Sequence, residues 1–257
     1  MTEIAEGAAG IGARTPPPAA TDREAWDTGA GFYLTMAVVS AVIIFAGFSP
    51  SFYLKSVIHA PPPLSLLTIT HGVVFTAWMA LFVAQAALIA ARRPAPHRQL
   101  GMLGAILFGV MVSLGTSTAL TAGRLGHVPP GAPEPLAFMA LPLFVIAAAT
   151  LLVAAALWNR RRSDWHKRLM LASVFAMTGP GTHRLAVGMG MIPQAITVVF
   201  VVSWLLLGAA VARDIVTTKR IHPAYHAAIA VFLVVNVGVY WAFGSPAWMG
   251  FARSIAG

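Results

Sequence analysis

Cysteine is absent from the 257-residue chain. Disulfides, thiolate catalysis and iron–sulfur ligation are excluded with it. Charge is nearly as scarce, at 10% of residues, and only eight side chains are acidic: Glu3, Glu6, Asp22, Glu24, Asp27, Glu134, Asp164 and Asp214. The sequence places all eight in the amino-terminal tail or in loops. On that placement a carboxylate-coupled transporter, a di-iron carboxylate enzyme and a Mg²⁺-dependent diphosphate enzyme are excluded, because each needs Asp or Glu at its site. The last long apolar run carries no Lys, which excludes a retinal Schiff base. Imidazole is then the only strong ligand or acid–base group expected inside the apolar runs.

What is abundant is apolar: 58% of residues are hydrophobic and the mean hydropathy is +0.78. Crossing a hydrocarbon core of roughly 30 Å takes about 20 helical residues. Runs of that length lie at approximately 31–50, 64–90, 101–122, 136–158, 168–191, 193–212 and 224–243. None shows the sustained alternation of a membrane barrel strand. The expected fold is therefore an all-α polytopic transmembrane helix bundle of about seven spans, a single domain over 31–257. Residues 1–30, rich in Ala, Gly and Pro, are expected to form a disordered cytoplasmic tail.

Basic residues set the orientation. Thirteen fall in the tail and in the loops after the second, fourth and sixth spans, against Lys55, Arg124 and Arg253 on the other side, with Arg184 set aside. A bacterial inner-membrane protein with a cytoplasmic amino terminus and a periplasmic carboxyl terminus is expected. The net charge of +9 then reflects topology and attraction to anionic headgroups rather than nucleic-acid binding. The expected partners are the bilayer and subunits of a membrane complex.

An internal repeat has an offset of 69. Residues 87–100, ALIAARRPAPHRQL, match 156–169, ALWNRRRSDWHKRL, at Ala87/Ala156, Leu88/Leu157, Arg92/Arg161, Arg93/Arg162, His97/His166 and Leu100/Leu169. Two helical hairpins, spans two and three and spans four and five, are thus related in parallel. His97 and His166 either line a ligand site at the cytoplasmic face or anchor each inward loop at the headgroups.

His71 lies inside LSLLTITHGVVFTAWMALFVAQAALIA, residues 64–90. An imidazole in hydrocarbon is a functional-site candidate, because desolvation is costly without a partner or ligand. Helical rise puts His71 roughly 10 Å below the outer boundary of its span and His183 roughly 22 Å up an ascending one, about 8 Å from the same boundary of a core near 30 Å. The two are expected at one height. Gly179-Pro180-Gly181 interrupts the fifth span directly before Thr182-His183-Arg184. Arg184, the only charge expected within a span, suits either an anionic group such as a haem propionate or snorkelling to the headgroups. Two histidines on separate helices suit bis-imidazole ligation of haem b. Copper is the alternative, since Met189 and Met191 follow His183 and thioether sulfur favours Cu(I).

The HG of the second run, the HRQLG turn at 97–101 and the HKRLM turn at 166–170 resemble those of bacterial polytopic membrane proteins similar in plan to di-haem transmembrane cytochromes of the ascorbate-reducing type. The resemblance covers about residues 64–191. It implies outer ligands at His71 and His183 and inner ligands at His97 and His166, although the latter two stand at loop–helix junctions rather than inside helices. The expected function is a membrane-embedded, b-type haem-binding electron-transfer protein with Arg184 on a propionate. The competing class is a non-redox structural or assembly subunit, or a small-ligand carrier, in which the same residues serve packing.

Overall fold

The computed structural model describes residues 20–58 and 63–256, with side chains from Gly29 onward. Every regular element among them is helical. The first nineteen residues of the expected tail lie outside the described residues. Its last eleven residues, 20–30, belong to α1, which spans Ala20–Phe48.

A π-helical turn, Ser49–Tyr53, follows α1. Next come α2 (Leu66–Ala90), α3 (Pro94–Arg124), the short α4 (Pro135–Phe138) and α5 (Ala140–Trp158). The chain continues through α6 (Ser163–Met177), α7 (Gly179–Gly188), α8 (Ala195–Thr218), α9 (Pro223–Gly244) and α10 (Pro246–Ala256). Six helical segments of 22 to 31 residues are long and apolar enough to cross a membrane, which at 1.5 Å per residue makes them about 33 to 46 Å long. The run at 168–191, expected as one span, is divided between α6 and α7 at Thr178.

Lipid accounts for the outer surface. Leu103, Ile106, Leu151, Leu205, Val234 and Val237 are large, apolar and exposed on α3, α5, α8 and α9, a surface that water would penalise and hydrocarbon does not. This is a membrane protein. Its interior is organised around α6, where Arg168, Leu169, Leu171, Ala172, Ser173, Val174 and Phe175 are all buried. Leu169, Leu171, Ala172 and Phe175 pack with Met36 of α1, Leu152 of α5, Leu207 and Ala210 of α8 and Phe232 of α9. Its other side, Val174 and Met177, joins Ile44 of α1, Trp78 and Met79 of α2, Phe108 and Met111 of α3 and Val153 of α5. A helix buried on opposite sides along residues 169–177 belongs in the middle of a bundle.

Two antiparallel hairpins, α2–α3 and α5–α6, carry the repeated sequence. Their second helices are entered alike: Arg93 at φ −108°, ψ 69° and Arg162 at φ −104°, ψ 88°. His97 and His166 are each the fourth residue of the helix that follows.

α10 was not among the expected elements. It is amphipathic, and Trp248, Ala252 and Ala256 seat it on Met139, Ala140 and Ala242. Trp248 Nε1 donates to the Leu136 carbonyl at 2.8 Å, and Arg124 Nε donates to the Ala256 carbonyl at its end.

α1 and α7 approach backbone to backbone at Gly47 and Gly181. A β-carbon on Gly181 would stand 2.8 Å from the Ile43 carbonyl oxygen and the Ile44 Cα, both rigid backbone. Gly181→Ala should therefore force the helices apart and destabilise the protein by about 1–3 kcal/mol. Gly109→Ala meets open space and should stay within about 0.5 kcal/mol of the parent. Thermal unfolding of the two variants in detergent checks the contrast, and equal melting would refute the backbone contact.

Candidate functional site

α7 is positioned by the sequence that interrupts it. Pro180 has no N–H to give the preceding turn, and hydroxyls fill in around the break. Thr178 Oγ1 donates to the Phe175 carbonyl at 2.8 Å and Thr182 Oγ1 to the Thr178 carbonyl at 3.1 Å. The small Gly181 lets the start of α7 lie against α1. His183 and Arg184 follow on the next turn.

His183 is 4% exposed, and its Nε2 is buried without a hydrogen-bond partner. The Pro130 carbonyl faces the same ring, which leaves Nδ1 as the nitrogen turned toward it. His71, half-buried on α2, also has a buried ring nitrogen without a partner, Nδ1. Its Cε1 lies 3.6 Å from where a Gly115 β-carbon would stand, so glycine on α3 makes room for the imidazole. Both histidines lie toward the same end of the core around Trp78, Met111 and Met177. His71 is seven residues, about 10 Å of helix, before Trp78, and His183 follows Met177 by six residues across the break at Thr178. The rings do not contact each other. What they share is Arg184, which lies within electrostatic reach of both.

Arg184 is held in place rather than trailing to the surface. Its Nε donates to Ser51 Oγ in the π-helical turn at 3.2 Å and its Nη1 to the Pro180 carbonyl at 3.1 Å, and the guanidinium lies 4.1 Å from the Phe48 ring centroid. Arginine has five N–H donors, so three remain for an anionic group. Met189 is 68% exposed and Met191 is exposed as well, unlike the buried imidazole they follow. The outer hydroxyls are satisfied locally: Thr70, Ser113 and Thr118 each donate to the carbonyl four residues earlier. Asn236 donates to the Phe232 carbonyl and accepts from Trp204 Nε1.

The repeat's histidines are brought together. The His97 and His166 rings lie edge to face with centroids 6.3 Å apart. His166 Nδ1 donates to the Ala156 carbonyl at 2.9 Å, which leaves its Nε2 free of that bond. His97 Nδ1 is buried without a partner, as is Oε1 of Gln85, whose Nε2 donates to the His97 carbonyl at 3.1 Å. No group of three or more His, Asp or Glu side chains suited to a metal occurs among the described residues, so ligation here rests on pairs of imidazoles.

One expectation is overturned. Asp214 is not a loop residue, and Arg184 is not the only charge within the bundle. α8 continues to Thr218, and Asp214 is fully buried in it. Arg168 of α6 grips it with two bonds, Nε to Oδ2 at 2.9 Å and Nη2 to Oδ1 at 2.8 Å, and Nη1 donates to the Asp164 carbonyl. The exclusion of carboxylate chemistry by absence therefore fails, although both oxygens of this carboxylate are engaged. The periodicity held the signal. Asp214 follows the buried Leu207 and Ala210 at helical spacing, and Arg168 precedes Leu171, Ala172 and Phe175 on one face. An arginine-aspartate dipeptide after an apolar run reads as its end, and that local cue conceals the pair.

Comparison with known proteins finds no matching family model, no matching curated protein and no matching solved structure.

Removing one member of a buried pair strands the other. Asp214→Leu should cost about 3–5 kcal/mol, and the double variant Arg168→Met/Asp214→Leu should recover most of it. A double variant melting as low as the single one would show that the carboxylate acts otherwise than through Arg168.

Proposed function

We propose that the protein is a membrane-embedded, b-type haem-binding electron-transfer protein, with His71 and His183 as the axial ligands and Arg184 on a propionate. The observation that carries this reading is the pair of buried, unpartnered ring nitrogens, Nδ1 of His71 and Nε2 of His183, toward the same end of one core. Leaving an imidazole nitrogen unsatisfied in an apolar layer is costly. Ligation removes that cost.

The residues fit such a group. His183 turns one nitrogen toward the Pro130 carbonyl, the arrangement that orients a ligating imidazole and fixes its tautomer. Arg184 is fixed by Ser51 and Pro180 with donors to spare, so it can neutralise a carboxylate without moving. The surrounding apolar helices exclude water. Haem would supply reversible one-electron chemistry at a potential tuned by this setting. The exposure of Met189 and Met191 favours haem over copper. The edge-to-face His97–His166 pair, with a free nitrogen on each ring, supports the same chemistry at the opposite end.

In this reading α6 and α7, fifteen and ten residues joined through Thr178, together form the fifth span and bring the count to seven. The α2–α3 and α5–α6 hairpins are repeats about an axis along the membrane normal, and the inner-membrane topology follows the thirteen-to-three charge bias. Residues 160–167 should accordingly be labelled by impermeant reagents from the cytoplasmic side. Labelling from the periplasm would reverse the orientation.

The decisive measurement is the visible spectrum of the purified protein expressed with ample haem. A Soret band that shifts on dithionite reduction is expected, lost in His71→Ala and His183→Ala and kept in His127→Ala, where the residue is exposed. Arg184→Leu should weaken retention about tenfold, as loss of a supporting contact does. A colourless protein, or an unchanged spectrum in the double His71→Ala/His183→Ala variant, sinks the outer site. A band lost only in His97→Ala or His166→Ala would move the ligand to the other end.

A further inference from the structure

The end of the bundle formed by the start of α1, the start of α6, the end of α8 and the start of α9 carries polar groups that haem chemistry does not use. Tyr225 of α9 is fully buried and its hydroxyl has no hydrogen-bond partner. Tyr33 of α1 presents a second buried, unpartnered hydroxyl beside it. Two phenols facing each other can use at most one donor between them, so at least one O–H lacks an acceptor.

Among the described residues, the nearby carboxylates are turned to other partners. Both oxygens of Asp214 are taken by Arg168, and Asp164 Oδ2 is engaged by His222 Nε2 at 2.9 Å. Cations, by contrast, are in excess. Lys167 Nζ lies 5.2 Å from the Tyr33 ring centroid, and the Arg213 guanidinium lies 5.8 Å from that ring and 4.8 Å from Phe32. Neither makes an ion pair among the described residues. Buried hydroxyls without partners, next to cations that make no direct ion pair among the described residues, suit an anion with several acceptor oxygens.

We propose that this end of the bundle binds a phosphate group, held by the Tyr33 and Tyr225 hydroxyls and by Lys167 and Arg213. A phosphate diester or monoester offers more acceptor oxygens than a carboxylate, enough to meet donors arriving from four helices. The loops at this end hold Arg160, Arg161, Arg162, Lys219 and Arg220, the side that charge bias assigns to the cytoplasm. Basic pockets between helices on that side meet anionic headgroups. An anionic phospholipid and free phosphate share the chemistry.

Full-length protein, delipidated in neutral detergent, separates the sources. Phosphatidylglycerol, phosphatidylcholine or inorganic phosphate is added, binding is counted by native mass spectrometry, and protection is read from melting temperature. Phosphatidylglycerol is expected to bind at one molecule per chain and to raise the melting temperature, with phosphatidylcholine much weaker. Lys167→Gln/Arg213→Gln should weaken that binding about thirtyfold, near fivefold for each cation. Tyr225→Phe is the sharper variant. It removes only an unpartnered hydroxyl, so the delipidated protein should melt no lower than the parent while the lipid-induced rise shrinks. Protection by inorganic phosphate equal to that by lipid would assign the site to free phosphate. Equal binding by wild type and all variants, or no preference for phosphatidylglycerol over phosphatidylcholine, would overturn the proposal.

Discussion

The pair of Arg168 and Asp214 is the constraint on which the half of the bundle around the start of α6 and the end of α8 depends. Burying either ion alone would be prohibitive, and together they are tolerated because three guanidinium donors and both carboxylate oxygens are hydrogen-bonded. That requirement fixes α6 against α8 in register and rotation. With α6 so placed, its apolar sides fall between two cores, one shared with α8 and α9 and the other with α2 and α3. A hydrophobic contact could slide by a methylene and lose little. A two-bonded guanidinium–carboxylate pair cannot, so the least apolar contact in the interior sets the position of the helix buried at its centre.

The half of the bundle around α7 depends on a different device. The Gly-Pro-Gly break lets α7 leave the line of α6 and lie backbone to backbone on α1, which brings Arg184 to Ser51 in the π-helical turn. Two irregularities, a broken helix and a widened turn, meet at one residue. Irregular backbone at membrane depth persists where protein or a ligand satisfies it, and here it frames the two imidazoles whose nitrogens have no protein partner.

Much of this was legible in the sequence, and the illegible parts share a cause. Length and apolarity announced the long helices, and the matched residues around His97 and His166 announced hairpins that the structure enters with closely similar backbone angles. The break before His183 was readable because proline and glycine act locally. Asp214 was misplaced because charge in an apolar chain reads as the edge of a run, while its burial depends on a partner 46 residues away. Tyr33 and Tyr225 were invisible for a related reason: tyrosine in a membrane chain is ordinary until two hydroxyls are found without acceptors. α10 escaped notice because eleven amphipathic residues fall short of a span.

The contact of Gly47 with Gly181 also bears on how the chain is made. The two glycines are more than 130 residues apart, and ribosomes add about 5–20 residues per second. The first helix therefore waits on the order of ten seconds in the bilayer before its partner at that contact is synthesised. During that interval its glycine face has only lipid or another chain to rest on. Biogenesis of the bundle thus has a vulnerable window, closed by the arrival of a helix turn that proline has already bent to receive it.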